Sequence, residues 1–402
     1  MTGFPEICAK RYADANADAL RWMLDRPRRR GFLDTCFNAL ERRDYTHVDG
    51  YRGPQYLHGW IQGRGLEALA EHGQALERED AALSARCRDA AHQLHDALAA
   101  LRDPAGRVFF RYDAALLPLL CMPDEPVRRQ RAEPGIHTYS DAFAAKGLVA
   151  AARWLGDPRL PDWQAYLSDV ISAVEDRRFQ IDEFAPISAK TVAAQPDDYG
   201  PRMILLGAAH LAADPGYADR FIDQVLSRHF DAPTGLLRDV PGEDACNPGH
   251  AIEFVGFALA HLPPDTDAGL VATLGRILSA SFRAGFSGPG LALWISIGTG
   301  RALSPYRPWW SLPETVRAAA LLWERTRSDA ALAIWKAADH AFFRHYWLGD
   351  PPVAIQTRNM QGPVDYVPAT PDLDPGYHTG LSLLAAQRVA ASTSERGHDG
   401  RS

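Results

Sequence analysis

The sequence predicts an all-α (α/α)6 barrel, six inner helices ringed by six outer ones, with short β-hairpin loops at one mouth. Three observations lead there. Six segments rich in Ala, Gly and Leu each follow a turn or polar cluster, and small residues recur along them at helical spacing. Such helices accept close neighbours on more than one side, as inner helices must. Longer segments alternate with these and pair an apolar stripe with a charged face, the pattern of half-exposed helices. Gly- and aromatic-rich stretches between them read as strand-like loops. The repeat is one of architecture rather than of sequence.

Along the chain, residues 8–25 (CAKRYADANADALRWMLD) make the first outer helix, and RRRGFLDTCFNALERRD after it a hairpin. The first inner helix is LHGWIQGRGLEALAEHG (57–73), backed by the amphipathic 82–101. DPAGRVFFRYD then reads as strand-like, ahead of the second inner helix, HTYSDAFAAKGLVAAARWLGD (137–157). Its outer partner is 160–179. The third inner helix, DYGPRMILLGAAHLAAD (198–214), pairs with 216–230 and the hairpin DAPTGLLRDV. NPGHAIEFVGFALAHL (247–262) is the fourth; in its outer partner, 267–286, Leu270, Leu274, Ile277 and Leu278 form one apolar stripe. WWSLPETVRAAALLWERT (309–326) and 328–347 form the fifth pair, and DPGYHTGLSLLAAQRVA (374–390) closes the ring. No linker-like run divides the chain, so residues 1–390 are expected to form one barrel domain and residues 391–402 a disordered tail.

Composition narrows the functional classes. Of 402 residues, 46% are hydrophobic and 23% charged, which suits a water-soluble globular protein. A net charge of -7 offers no basic face, so nucleic acid is not an expected partner. The five cysteines are odd in number and show no CxxC pair, which fits reduced thiols rather than a disulfide frame or zinc site. There is no signal-peptide pattern at the start and no apolar run of membrane-spanning length. A cytoplasmic location without membrane association is the expectation.

The chemically capable residues sit where the inner helices begin, and in a toroid these ends meet around one pocket. They are Trp60 and Arg64, Tyr139, Arg202, His250 and Glu253, Trp309, Trp310 and Glu314, and His378. His250 and Glu253, three apart, share a face of the first helical turn. They can act as an imidazole tuned by a carboxylate, or as groups that cap and solvate a helix end. His378 repeats the setting, a Pro-Gly turn, an aromatic and a histidine. Ser311 and Glu314 fit a capping box, which gives Glu314 a structural explanation of its own. Trp60 with Arg64, and Trp310 with Glu314, place an aromatic and a charge four apart, on one helix face. Ring faces beside hydrogen-bonding charges suit a sugar, whose C–H face stacks while its hydroxyls find partners. His92, His95, His340 and His345 lie on outer helices and read as surface or packing residues. No HExxH or paired-His motif marks a metal site.

WIQGRG, YSDAFAAKGLVAAARWLGD, PGHAIEFVGFAL, WWSLPE and GYHTGL occur in this order between residues 60 and 381. In these segments the chain resembles the N-acylglucosamine 2-epimerase family, which includes cellobiose 2-epimerases and mannose isomerases. The resemblance implies the barrel and assigns His250 and His378 as an acid/base pair. It implies further that Arg64, Tyr139, Glu253, Trp310 and Glu314 line the sugar site, with Trp60 beside them. One departure stands out. Where members of the family carry an Asn and a His around the third inner helix, this chain has Gly200 and Ile204, and Arg202 is the candidate substitute.

The implied chemistry is proton transfer at C2 of an open-chain aldose, with no metal and no cofactor. Return of the proton to C1 gives a ketose, and return to the opposite face of C2 gives the 2-epimer. D-Mannose/D-fructose isomerisation is preferred over N-acyl-D-glucosamine/N-acyl-D-mannosamine epimerisation. The expected partner is a monosaccharide, and a homodimer is allowed. Two other readings compete: an (α/α)6 glycoside hydrolase using Asp141 with Glu253 or Glu314, and a non-catalytic sugar- or partner-binding protein.

Overall fold

The computed structural model describes residues 3–121, 126–366 and 373–399. Thirteen α-helices among the described residues carry the fold. They are α1 (Phe4–Asp25), α2 (Gly59–Leu76), α3 (Ala81–Arg102), α4 (Tyr139–Leu155), α5 (Leu160–Glu175), α6 (Ala189–Ala194) and α7 (Gly200–Leu206). There follow α8 (Tyr217–His229), α9 (Pro248–His261), α10 (Ala268–Gly285), α11 (Ser311–Thr326), α12 (Asp329–His345) and α13 (Ser382–Asp399). Helices α2, α4, α7, α9 and α11 pack in succession, and α13 with the π-turn before it (Tyr377–Leu381) closes the inner ring against α11 and α2. The outer ring is α1, α3, α5, α8, α10 and α12. The short α6, capped by the Ser188 side chain, stands outside the six-plus-six scheme. No helix among the described residues is long and apolar enough to cross a membrane.

Composition explains which helices lie inside. In α4 every residue from Ser140 to Ala152 is buried, and seven of those thirteen are Ala or Gly, so neighbours can close on all sides. Outer α8 instead buries only one stripe, Tyr217, Ala218, Phe221, Ile222 and Val225, with His229 at its end. The outer ring closes through a buried polar knot. Asp339 of α12 accepts from the Tyr12 hydroxyl at 2.9 Å and from Arg11 at 2.5 Å, both on α1. Trp335 Nε1 donates to the same Tyr12 oxygen at 2.8 Å.

Loops at the N-terminal ends of the inner helices form short ladders. Phe37–Asn38 pairs with Arg43–Asp44, and Phe230–Asp231 with Leu236–Leu237, as the expected hairpins. Leu57–His58, Arg111–Tyr112, Pro118–Leu120 and Arg128–Arg129 form a four-stranded antiparallel sheet.

Two elements differ from expectation. The third inner helix holds α-geometry for seven residues only, and the chain beyond it, 207–212, runs in turns. There Arg153 of α4 donates to the carbonyls of His210 and Leu211 at 2.5 and 2.7 Å, diverting them from a helical ladder. At the C-terminus, α13 continues to Asp399, past residue 390, while residues 400–402 lie outside the described residues.

Candidate active site

The inner helices open at their N-terminal ends onto a cavity of about 390 Å³. Its wall includes Trp60, Arg64, Tyr139, His250, Glu253, Trp309, Trp310 and His378, eight of the ten residues singled out from the sequence.

His250 lies on the first turn of α9, and its role there is not capping. The Asn247 side chain caps the helix, accepting from His250 N at 3.1 Å. The imidazole is left free, and neither ring nitrogen has a protein hydrogen bond among the described residues. Its ring lies over the Trp310 indole, centroids 5.1 Å apart and planes at 30°. Gly249 allows this: a Cβ there would stand 2.7 Å from the Trp310 ring. Burial, with His378 and Arg64 nearby, lowers the His250 pKa to about 4, so it is neutral at physiological pH.

His378 sits within the π-turn that opens the last inner helix. Asp374 builds that turn by accepting from the backbone amides of Tyr377, His378 and Thr379. The His378 ring is 5.8 Å from Trp310, so one indole contacts both imidazoles. His378 Nδ1 lies 3.0 Å from Glu314 Oε1 and 3.9 Å from Glu253 Oε1. Burial would raise the Glu314 pKa, but Arg317 at 3.2 Å and His378 outweigh it and hold the group ionised. An ionised carboxylate only accepts, so Nδ1 carries the hydrogen and Nε2 is the basic nitrogen. Burial also lowers the His378 pKa, with Arg64 adding to it and Glu314 opposing. Burial and the neighbouring Glu314 push Glu253 the other way, toward the protonated form.

Glu314 corrects its capping-box reading. Ser311 Oγ donates back to the Pro308 carbonyl, while the Glu314 carboxylate turns inward to His378 and Arg317. Glu253, Glu314 and His378 place donor atoms within 4.8 Å of one another. Arg317 already supplies the counter-charge to that cluster, which makes it a poor cation site.

Arg64 enters from α2. Its guanidinium lies over Phe143, Trp60 and Tyr377 at 4.1, 4.8 and 5.3 Å from the ring centroids. It forms no ion pair among the described residues, and Nε lacks a hydrogen-bond partner. A cation this buried is costly unless something in the cavity answers it.

Arg202 is a correction. Its guanidinium turns outward between α7 and α8, donating to Gln224 at 2.9 Å and pairing with Asp197 at 3.4 Å, away from the histidines. The α7 wall is instead made by Asp198, Gly200, Met203 and Ile204. Pairing with Asp197, five residues away and outside the barrel, offers Arg202 a lower-energy position than an unpaired one inside.

Sequence reasoning missed several wall residues, including Asp198, Trp294, Tyr366 and Asp374. Trp294 and Tyr366 come from loops between helices, where no periodicity marks them. Asp374 was legible as the start of the last inner segment, though not as the group that shapes the turn. Behind the site lies a fully buried Lys146, which donates to the Tyr377 hydroxyl at 2.6 Å and stands 3.3 Å from Glu67. A second cavity, about 700 Å³, opens where the inner helices end. In its wall Glu71 pairs with His210 at 3.3 Å and with Arg388 at 3.9 Å.

No protein-family model and no curated relative matches the chain. Its architecture is nevertheless that of a known class, the (α/α)6 barrels with a pocket at the N-terminal mouth of the inner ring. Among solved structures it is similar to cellobiose 2-epimerase from Bacillus thermoamylovorans B4167, with a TM-score of 0.73 and 14% identity, covering 94% of this chain and 99% of that one. It is similar to cellobiose 2-epimerase from Spirochaeta thermophila DSM 6192, with a TM-score of 0.72, 15% identity, and 96% and 98% covered. A D-mannose isomerase aligns with a TM-score of 0.68 and 13% identity, over 96% and 100% of the two chains. At such identities the likeness establishes the fold.

Proposed function

We propose that this protein is a sugar isomerase or epimerase that moves a proton at C2 of an open-chain aldose by histidine acid/base chemistry, without a metal. The observation that carries the reading is the pair of imidazoles, from two different inner helices, held against one indole in one cavity. The likeness to epimerases and to a mannose isomerase supports it.

The ring opens first and exposes the C1 aldehyde. A neutral histidine then takes the C2 proton, and both histidines are kept neutral by burial. The electron pair left at C2 delocalises onto the carbonyl oxygen, giving an enediolate. Arg64, a cation with no ion pair among the described residues and an unpartnered Nε, is a donor available to that oxygen. His378 is oriented by Glu314 and can exchange a proton through Nε2, while His250 faces the same cavity from α9. Delivery to C1 yields the ketose; delivery to the second face of C2 yields the epimer. D-Mannose/D-fructose isomerisation and N-acyl-D-glucosamine/N-acyl-D-mannosamine epimerisation are the candidate reactions, the first preferred.

The hydrolase reading loses its carboxylates. Asp141 is fully buried and held by Arg107, Tyr166 and the Thr138 amide, outside the cavity. Glu253 and Glu314 stand together beside His378 instead of flanking a glycosidic bond. The test is incubation with mannose, fructose and N-acetylmannosamine in deuterium oxide. Deuterium at C1 or C2 is expected; a binder or a hydrolase incorporates none, and that result would end the proposal.

A further inference from the structure

We infer that Asp198 accepts from a sugar hydroxyl beyond C2 and selects against a substrate that is anionic there. This rests on the sugar-site reading above and names its specificity group.

Asp198 stands at the entry to α7, the third inner helix, across the barrel from the sixth, which carries His378. Its carboxylate lines the cavity and forms no ion pair among the described residues; the nearest cation, Arg202, reaches only the Asp198 backbone carbonyl, at 3.5 Å. The reason lies next door: Asp197 takes both nearby arginines, Arg202 at 3.4 Å and Arg228 as a second ion pair. Asp198 Oδ1 accepts from the Gly200 amide at 2.5 Å, which orients the group, and no protein donor among the described residues reaches Oδ2. Gly200 supplies the room. A Cβ there would lie 2.6 Å from the Tyr139 hydroxyl and 2.8 Å from Asp198 Oδ1, so only glycine lets both polar groups share that wall. The rest of the wall is Met203 and Ile204, which offer nothing to hydrogen-bond.

A half-used carboxylate against apolar neighbours is stabilised by any donor the ligand brings, and on a sugar that donor is a hydroxyl. A phosphate or carboxylate on the same end of the sugar meets like charge and is rejected.

The probe is 1,5-anhydromannitol, a locked ring that binds without turnover, together with its 6-phosphate. Affinities are measured by calorimetry on the wild type, Asp198→Asn and Asp198→Ala, with circular dichroism reporting the fold. Asp198→Ala is expected to weaken the neutral ligand about tenfold, and the isosteric Asp198→Asn to recover part of that. The 6-phosphate is expected to bind the wild type more weakly than the neutral ring does, with the gap narrowing in Asp198→Asn. Equal affinities across the three proteins, or no binding to the wild type, overturns the assignment. Deuterium exchange by the wild type is a separate readout: if exchange is absent but the affinity pattern holds, the isomerase reading falls and the role of Asp198 stands.

Discussion

His250 and His378 are matched in type but differ in support. His250 has no polar partner for its ring among the described residues, whereas Glu314 fixes the tautomer of His378 and Arg317 fixes Glu314. Two outcomes follow at this scale. A base must be neutral to accept a proton, and depressed pKa values keep both rings neutral as pH falls. The acid limb of kcat/KM should therefore lie below the ordinary imidazole value of about 6.5. A limb at or above that value contradicts the burial argument. Glu314→Gln removes the anion that holds the Nδ1 hydrogen, so kcat should drop by about 10²-fold or more while the fold is retained. Near-normal turnover in that variant would remove Glu314 from the mechanism.

The helices reach the site because some of them touch backbone to backbone. Helices α2 and α4 touch backbone to backbone at Gly63 and Gly147: a Cβ on Gly147 would stand 2.4 Å from the Gly63 carbonyl oxygen and 3.1 Å from Leu66 Cβ. These helices carry Trp60, Arg64 and Tyr139, so their spacing sets one wall of the pocket. Gly147→Ala is expected to destabilise the protein by about 1–3 kcal/mol, because two inner helices cannot separate without disturbing their other neighbours. Urea unfolding reads this as a lower midpoint, and an unchanged midpoint would mean that the crossing relaxes freely. KM should rise as well, through the displaced Arg64.

The barrel as a whole closes where its first and last outer helices meet, and there the join is polar. Asp339→Ala leaves the buried Tyr12 hydroxyl without its acceptor, while the partly exposed Arg11 can turn to solvent. A loss of about 1–3 kcal/mol is expected. The join is on the outer ring, and Arg11, Tyr12 and Asp339 do not line the pocket, so kcat should be unchanged at temperatures where the variant is folded. A parallel loss of stability and turnover would show that ring closure also shapes the site.

Much of this was legible in the residues. Inner helices announce themselves because a helix touched on several sides needs Ala and Gly all round, as α4 has, and outer ones because half-burial imposes a stripe, as in α8. His250 and His378 could be singled out because each follows a Pro-Gly turn at the start of such a helix. What the sequence left open was direction. Arg202 and Arg64 are both arginines within the first two turns of inner helices, yet one leaves the barrel for Asp197 and the other stays inside among three rings. Glu314 had an equally good local explanation until His378, sixty-four residues on, came within 3.0 Å. Local pattern determined which helices are buried, because burial is an average over many side chains. Only the tertiary structure decided where each charge points, because a charge goes to the nearest opposite charge or hydrogen-bond donor, and the fold chooses that neighbour.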